Sequence, residues 1–153
     1  MQNQSIPRKE DRQCVPLSFA QEGLWFLDQL EPNSSRYNVS RALRLRGQLA
    51  MKALQESLDA IVIRHEVLRT NFSAADGIPT QVIRQTSSVQ LAFVDLSGLP
   101  TREREEKLQS FFDEQVQRPF DLIADLMLRP CLIRLTQADH ILLLVLPHIT
   151  SDG

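Results

Sequence analysis

Cysteine is scarce in this sequence: only Cys14 and Cys131 stand in 153 residues. They lie far apart, with no CxxC partner and no histidine at ligand spacing, which argues against a disulfide framework or a structural zinc site. Cys131 reads as a small core residue and Cys14 as a bystander. Charge of one sign is equally lacking. A net charge of -2 and a pI near 5.9 give no global pull toward nucleic acid or an anionic membrane, so neither is expected as a partner. No apolar run is long enough to span a bilayer, and the N-terminal "MQNQSIPRKEDRQC" has no apolar centre of the kind a signal peptide or anchor needs. The expectation is a cytoplasmic location with a flexible tail over residues 1–14. Repeats and low-complexity linkers are absent too. A composition of 42% hydrophobic and 24% charged residues is that of one globular domain.

What is present alternates between helical and strand periods. Ser18 followed by Gln21 makes a capping box, and Phe19, Ala20, Leu24, Leu27 and Leu30 keep helical spacing until Pro32. Val39 to Leu45 alternates as a half-buried strand closed by Gly47, with the arginines of "RALRLR" on its outer face. Leu54, Leu58, Ile61, His65 and Leu68 fall on one helical face, which predicts a second helix and makes His65 a core histidine bonded to a neighbour. "DGIPTQVIRQ" reads as a turn and a short strand, and "VQLAFVD" as another. Leu108, Phe111, Phe112 and Val116 outline a third helix that stops near Pro119, and the charges of "TREREEKLQ" form its solvated surface. Residues 131–135 and 140–146 flank "TQAD" as an antiparallel hairpin, the second strand being apolar enough to be buried on both faces. The fold class is α+β, a mixed or largely antiparallel sheet covered by helices. Trp25, alone of its kind, reads as core.

The second strand of that hairpin runs into "PHITSDG" (147–153), which sets His148 just past a buried strand end, where a side chain is held firmly yet reaches a cleft. As a heptapeptide it also fits a strand end followed by an Asp-Gly turn. Histidines 65, 140 and 148 have no i, i+4 pair, so a metal site is rejected.

Three stretches in order, "SFAQEGLWFLDQLEP" (18–32), "RHEVLRTNF" (64–72) and "PHITSDG", together resemble the first three signature motifs of condensation domains in nonribosomal peptide synthetases. "YNVSRALRLRGQL", "RPFDL" and "LLLVL" resemble the same family, so the likeness runs from about Val15 to Gly153. It implies a chloramphenicol-acetyltransferase-like lobe. Residues 15–153 would form the N-terminal lobe of a condensation domain whose C-terminal lobe is absent, and the chain alone would be inactive. In the complete domain the α-amine of a downstream aminoacyl thioester attacks an upstream acyl or peptidyl thioester. No cofactor is bound directly. Both substrates arrive on phosphopantetheine arms of upstream and downstream peptidyl carrier proteins, and the adjacent synthetase domains are further partners.

The resemblance makes His148 the catalytic residue, with Pro147 in place of the first histidine of the family's pair. Asp152 becomes a structural group for which Arg64 and Arg69 are candidate partners. Gly153 would allow a backbone geometry that a Cβ forbids, with its N–H toward the developing oxyanion. Gly23 stands where the family often has arginine. Other readings stay open at this level: an acyltransferase or epimerisation domain with the same HxxxDG pattern, or a non-catalytic, truncated or degenerate lobe that only binds a carrier protein.

Overall fold

The structure, a computed structural model, describes residues 15–75, 77–85 and 88–151. The 1–14 segment with Cys14, and Asp152 with Gly153, lie outside the described residues. Helix α1 spans Phe19–Leu30 and opens on the expected capping box: the Ser18 Oγ accepts from the Gln21 N–H at 3.3 Å, and the Gln21 side chain accepts from the Ser18 N–H at 3.0 Å. Strand β1 is the short Val15–Pro16 segment before it, and β2 is Asn38–Arg46. Gly47 ends β2 at φ 107°, a conformation that favours glycine, and its N–H donates to Ala138 O at 2.8 Å. Helix α2 is Met51–Arg64, followed by a 3-10 turn over Glu66–Arg69. Strands β3 (Thr70–Ala75), β4 (Ile78–Ile83) and β5 (Ala92–Asp95) lead to helix α3 (Thr101–Gln117), and β6 (Arg129–Thr136) and β7 (Asp139–Pro147) close the order.

The strands divide into two sheets, β1-β4-β3 and β2-β7-β6-β5. All pairings are antiparallel except β5 with β6, which are parallel because α3 crosses between them. β7 is central in its sheet, with β2 on one side and β6 on the other, in the register Asn38↔Pro147 and Cys131↔Leu143. It is covered on both faces, as its sequence predicts. Leu143 and Val145 join one core with Phe72, Phe120, Met127 and Cys131, against which Trp25 and the apolar side of α3 pack. Leu144 and Leu146 pack against the second, where Leu58 and Val62 of α2 meet Val89 and Leu128. The loop after α3 ties the sheets together: the Phe72 N–H donates to Leu122 O and the Met127 N–H to Leu68 O, each at 2.9 Å.

Several expectations are corrected. His65 is not a core histidine: it is exposed at the C-cap of α2, because the buried stripe runs 54-58-62, not through Ile61. The chain leaves the helix at His65, φ -105° and ψ 93°. Phe19 belongs to α1 but is 93% exposed, so it is no part of a core-facing stripe. Of "VQLAFVD" only residues 92–95 form a strand, and β1 and β3 were not foreseen. The charges of α3 lie as expected on its surface, Arg102 with Glu106 and Lys107 with Glu103. Among the described residues no helix is long and apolar enough to cross a membrane.

Candidate active site

His148 is placed by the end of β7. Pro147 is the last residue of the strand and has no N–H to give. The next donor along the chain is the histidine's own N–H, and it donates to Tyr37 O at 2.8 Å. That bond is the regular antiparallel rung one pair beyond Asn38↔Pro147, a pair whose backbone nitrogens do not face the partner strand, and it fixes the His148 Cα against the residue that precedes β2.

A single 3-10 turn, His148–Thr150, follows. The Thr150 hydroxyl donates to Pro147 O at 2.8 Å, and the Ser151 N–H donates to His148 O at 3.0 Å. Ile149 and Thr150 are buried, so the turn is anchored from within while His148 stays partly accessible. On the other side the Gln21 side chain reaches Ile149 O at 3.5 Å, linking the capping box of α1 to the turn.

The imidazole is oriented by Ser151, whose Oγ lies 3.1 Å from Nδ1 and 3.3 Å from His148 O. When the hydroxyl hydrogen goes to His148 O, Oγ accepts from Nδ1–H and Nε2 is left unprotonated, the form a general base requires. Neither Ser151 nor Tyr37 was singled out in the sequence. The i+3 position of Ser151 was the available signal; Tyr37 acts through its carbonyl, which no side-chain motif reveals.

His148 lines a narrow cleft of about 30 Å³ with Leu24, Leu27 and Asp28 of α1, Tyr37, and Phe120 and Leu122 of the "RPFDL" segment. That volume admits a water molecule or so. The segment is held by capping of α3: the Asn38 side chain donates to Val116 O at 2.8 Å and to Arg118 O at 2.9 Å. Burial pushes the Asp28 carboxyl above its ordinary range, opposed by the Gln29 amide and assisted by the charge of Asp121. Asp28 is thus an acidic group in the histidine's cleft that the sequence reading missed.

The two arginines proposed as partners of Asp152 are differently placed. Arg64 is exposed at the C-terminal end of α2. Arg69 is largely enclosed: it donates to Arg84 O, reaches Ile63 O at 3.5 Å and pairs with Glu66 at 3.5 Å, while its buried Nε has no hydrogen-bond partner among the described residues. Of the two, Arg69 is the one with a buried donor still to satisfy. His140 is buried within β7 and Cys131 is wholly buried, its thiol pushed up by burial. Among the described residues no three His, Cys, Asp or Glu side chains gather as metal ligands would.

A profile of the condensation-domain family matches residues 11–153. The chain belongs to the condensation-domain family. It is 44% identical over 150 residues to phosphinothricin tripeptide synthetase PhsC of Streptomyces viridochromogenes, covering 97% of this chain and 14% of that protein. It is 41% identical over 142 residues to the isonitrile lipopeptide synthase of Mycobacterium tuberculosis, covering 92% and 6%. The starter condensation domain of rhizomide synthetase RzmA superposes with a TM-score of 0.83 at 22% identity, over 93% of this chain and 34% of that one. The first condensation domain of the CDA synthetase gives 0.81 at 22% identity, over 90% and 36%. These superpositions establish the chloramphenicol-acetyltransferase-like fold expected from the sequence. The chain thus spans about a third of the solved domains and a much smaller part of the synthetases.

Proposed function

We propose that this condensation-family chain contributes His148 to amide-bond formation between two carrier-bound substrates. The amine nitrogen of the acceptor attacks the thioester carbonyl carbon of the donor. The C–N bond forms, the C–S bond breaks, and the thiol of the donor's phosphopantetheine arm departs. His148 Nε2 takes the proton from the attacking nitrogen and returns it to the leaving thiolate. A thioester is already activated and an α-amine has a pKa near 7.7–8.0, so modest basicity suffices. Holding two tethered substrates in line adds a proximity contribution.

The observation that carries this reading is the seating of His148, with its backbone bonded to Tyr37 O and its Nδ1 beside Ser151 in the cleft under α1. Asp152 is proposed as a structural partner of Arg69 or Arg64, and Gly153 as a backbone donor near the oxyanion. The solved domains are about three times the length of this chain, and the reaction is assigned to that whole. The chain alone would leave the reaction centre incomplete. The partners are then the upstream and downstream carrier proteins and the rest of the synthetase.

The test is His148→Ala in a complete condensation domain, assayed for dipeptide from two loaded carrier proteins. Product formation should fall by on the order of 10²-fold or more at unchanged melting temperature. Turnover equal to the unmodified domain would remove His148 from the chemistry.

A further inference from the structure

A second and larger cleft, about 470 Å³, opens at the C-terminal end of α3. Its size is that of small-molecule sites in general. Val89, Leu91, Leu126, Leu128 and Pro130 supply apolar walls, and Phe120 separates it from the histidine's cleft, lining both.

Two donors line this space at the C-terminal end of α3, Gln115 in its last turn and Arg118 at its C-cap. Gln115 is only 8% exposed, and its Oε1 lies 3.6 Å from the Cys131 thiol. Its amide nitrogen has no hydrogen-bond partner among the described residues, yet the side chain lines the cleft. The residue is buried as a whole, but its amide nitrogen is not among the fully buried unpartnered atoms of the described residues, so the uncommitted donor is open to a ligand or solvent in the cleft. Arg118 is the second donor; its guanidinium takes part in no ion pair or hydrogen bond among the described residues.

The local charge is positive. Arg129 lies against the floor, stacked 4.1 Å from the Phe120 centroid, and is committed to Arg118 O and Pro119 O, each at 3.0 Å, and to Gln115 O at 3.4 Å. Asp125 approaches it at 3.8 Å and balances one of the two guanidiniums. Arg129 is held below its ordinary pKa first by burial and then by the charge of Arg118, so the two arginines that line the cleft repel. An anion between them would relieve that repulsion through charge-assisted hydrogen bonds.

We propose that this cleft binds a small amphipathic carboxylate, its two oxygens taken by Arg118 and the Gln115 amide and its aliphatic body lying against Leu91, Leu126 and Leu128. The site is separate from His148 and stands whether or not the amide-forming reading holds.

Octanoate is the probe, with octanamide and inorganic phosphate as controls, measured by equilibrium dialysis against the full chain. Octanoate should bind saturably, at least tenfold more tightly than either control. Arg118→Ala should weaken it at least tenfold, and Gln115→Glu, which sets a like charge in the site, at least as much. Arg118 is exposed, so its alanine variant should keep the circular dichroism spectrum of the parent, and that variant alone decides the matter if Gln115→Glu unfolds. Equal binding of octanamide, equal binding of phosphate, or an Arg118→Ala variant that holds octanoate as well as the parent would each overturn the proposal.

Discussion

Strand β7 and helix α1 are both rich in aliphatic and aromatic side chains, yet the fold treats them in opposite ways. In β7, Leu142, Leu143 and Val145 are buried, the last two within one core while Leu144 and Leu146 pack against the other, and the strand is paired along both edges. In α1 no residue is buried, and Phe19, Phe26 and Leu30 are exposed. Leu24 and Trp25 are its main points of attachment to the core, with the Gln21 bond to Ile149 O at its start. Apolarity alone therefore does not report burial; what decides is whether a partner surface exists on that side. His148 lies where the two meet, its backbone fixed by the rigid strand and its side chain facing the loosely held helix.

The largest effect should separate the two regions directly. Leu143→Ala removes a fully packed side chain and leaves a cavity, and should cost about 2–5 kcal/mol. Phe26→Ala, on the outer side of α1, should change stability by no more than about 0.5 kcal/mol. Urea unfolding of both variants measures the contrast. A comparable loss from Phe26→Ala would mean that the outer face of α1 is covered.

A smaller effect sharpens the description of α1 itself. Gly23 sits inside the helix, and a Cβ built there meets nothing within 4 Å. Gly23→Ala should therefore stabilise the chain by about 0.5–1 kcal/mol through helix propensity and a less disordered unfolded state. A loss on denaturant titration would show that something approaches this backbone.

The hairpin, the capping box and the third helix were legible because their signals are local: period, cap chemistry and an uninterrupted apolar run. Where reading failed, tertiary hydrogen bonds had replaced local ones. Val89 and Leu91 alternate like a strand, but the Val89 N–H is taken by Asp59 at 2.9 Å and the Leu91 N–H by Gln55 at 3.3 Å. Side chains of α2 thus stand in for a neighbouring strand. β3 was invisible for the converse reason. Thr70 and Asn71 are buried, which composition does not suggest, because Thr70 bonds Glu66 O and Asn71 bonds Leu122 O and Asp125 O. At the site, "PHITSDG" revealed His148, while Tyr37 and Asp28 come from elements far along the chain that only the fold brings together.

The smallest effect concerns pH and again sets α1 against β7. Asp139, at the start of β7, is held below the ordinary carboxylate range by its hydrogen bonds to Arg44, with the charges of Arg44, Arg46 and His140 assisting against burial. Its contribution is therefore present above about pH 3.9, the ordinary aspartate value, and is lost as pH falls through the lowered folded value. Asp28 of α1 is shifted the other way by burial, so the fold favours its neutral form. That contribution is present below about pH 3.9 and is lost as pH rises through the raised folded value. Asp28→Asn should accordingly raise the melting temperature at pH 7 by about 1–2 °C, the size expected of a partly exposed site in a chain of this length, and the gain should vanish near pH 3. Asp139→Asn should lower it by a similar amount at pH 7, with the difference closing as the buffer is acidified below about pH 4. Thermal melts of both variants across pH 3–7 test the pair. If Asp28→Asn destabilised at pH 7, the carboxylate would be holding α1 in place instead of straining against its burial, and the loosely held helix would owe its position to that charge.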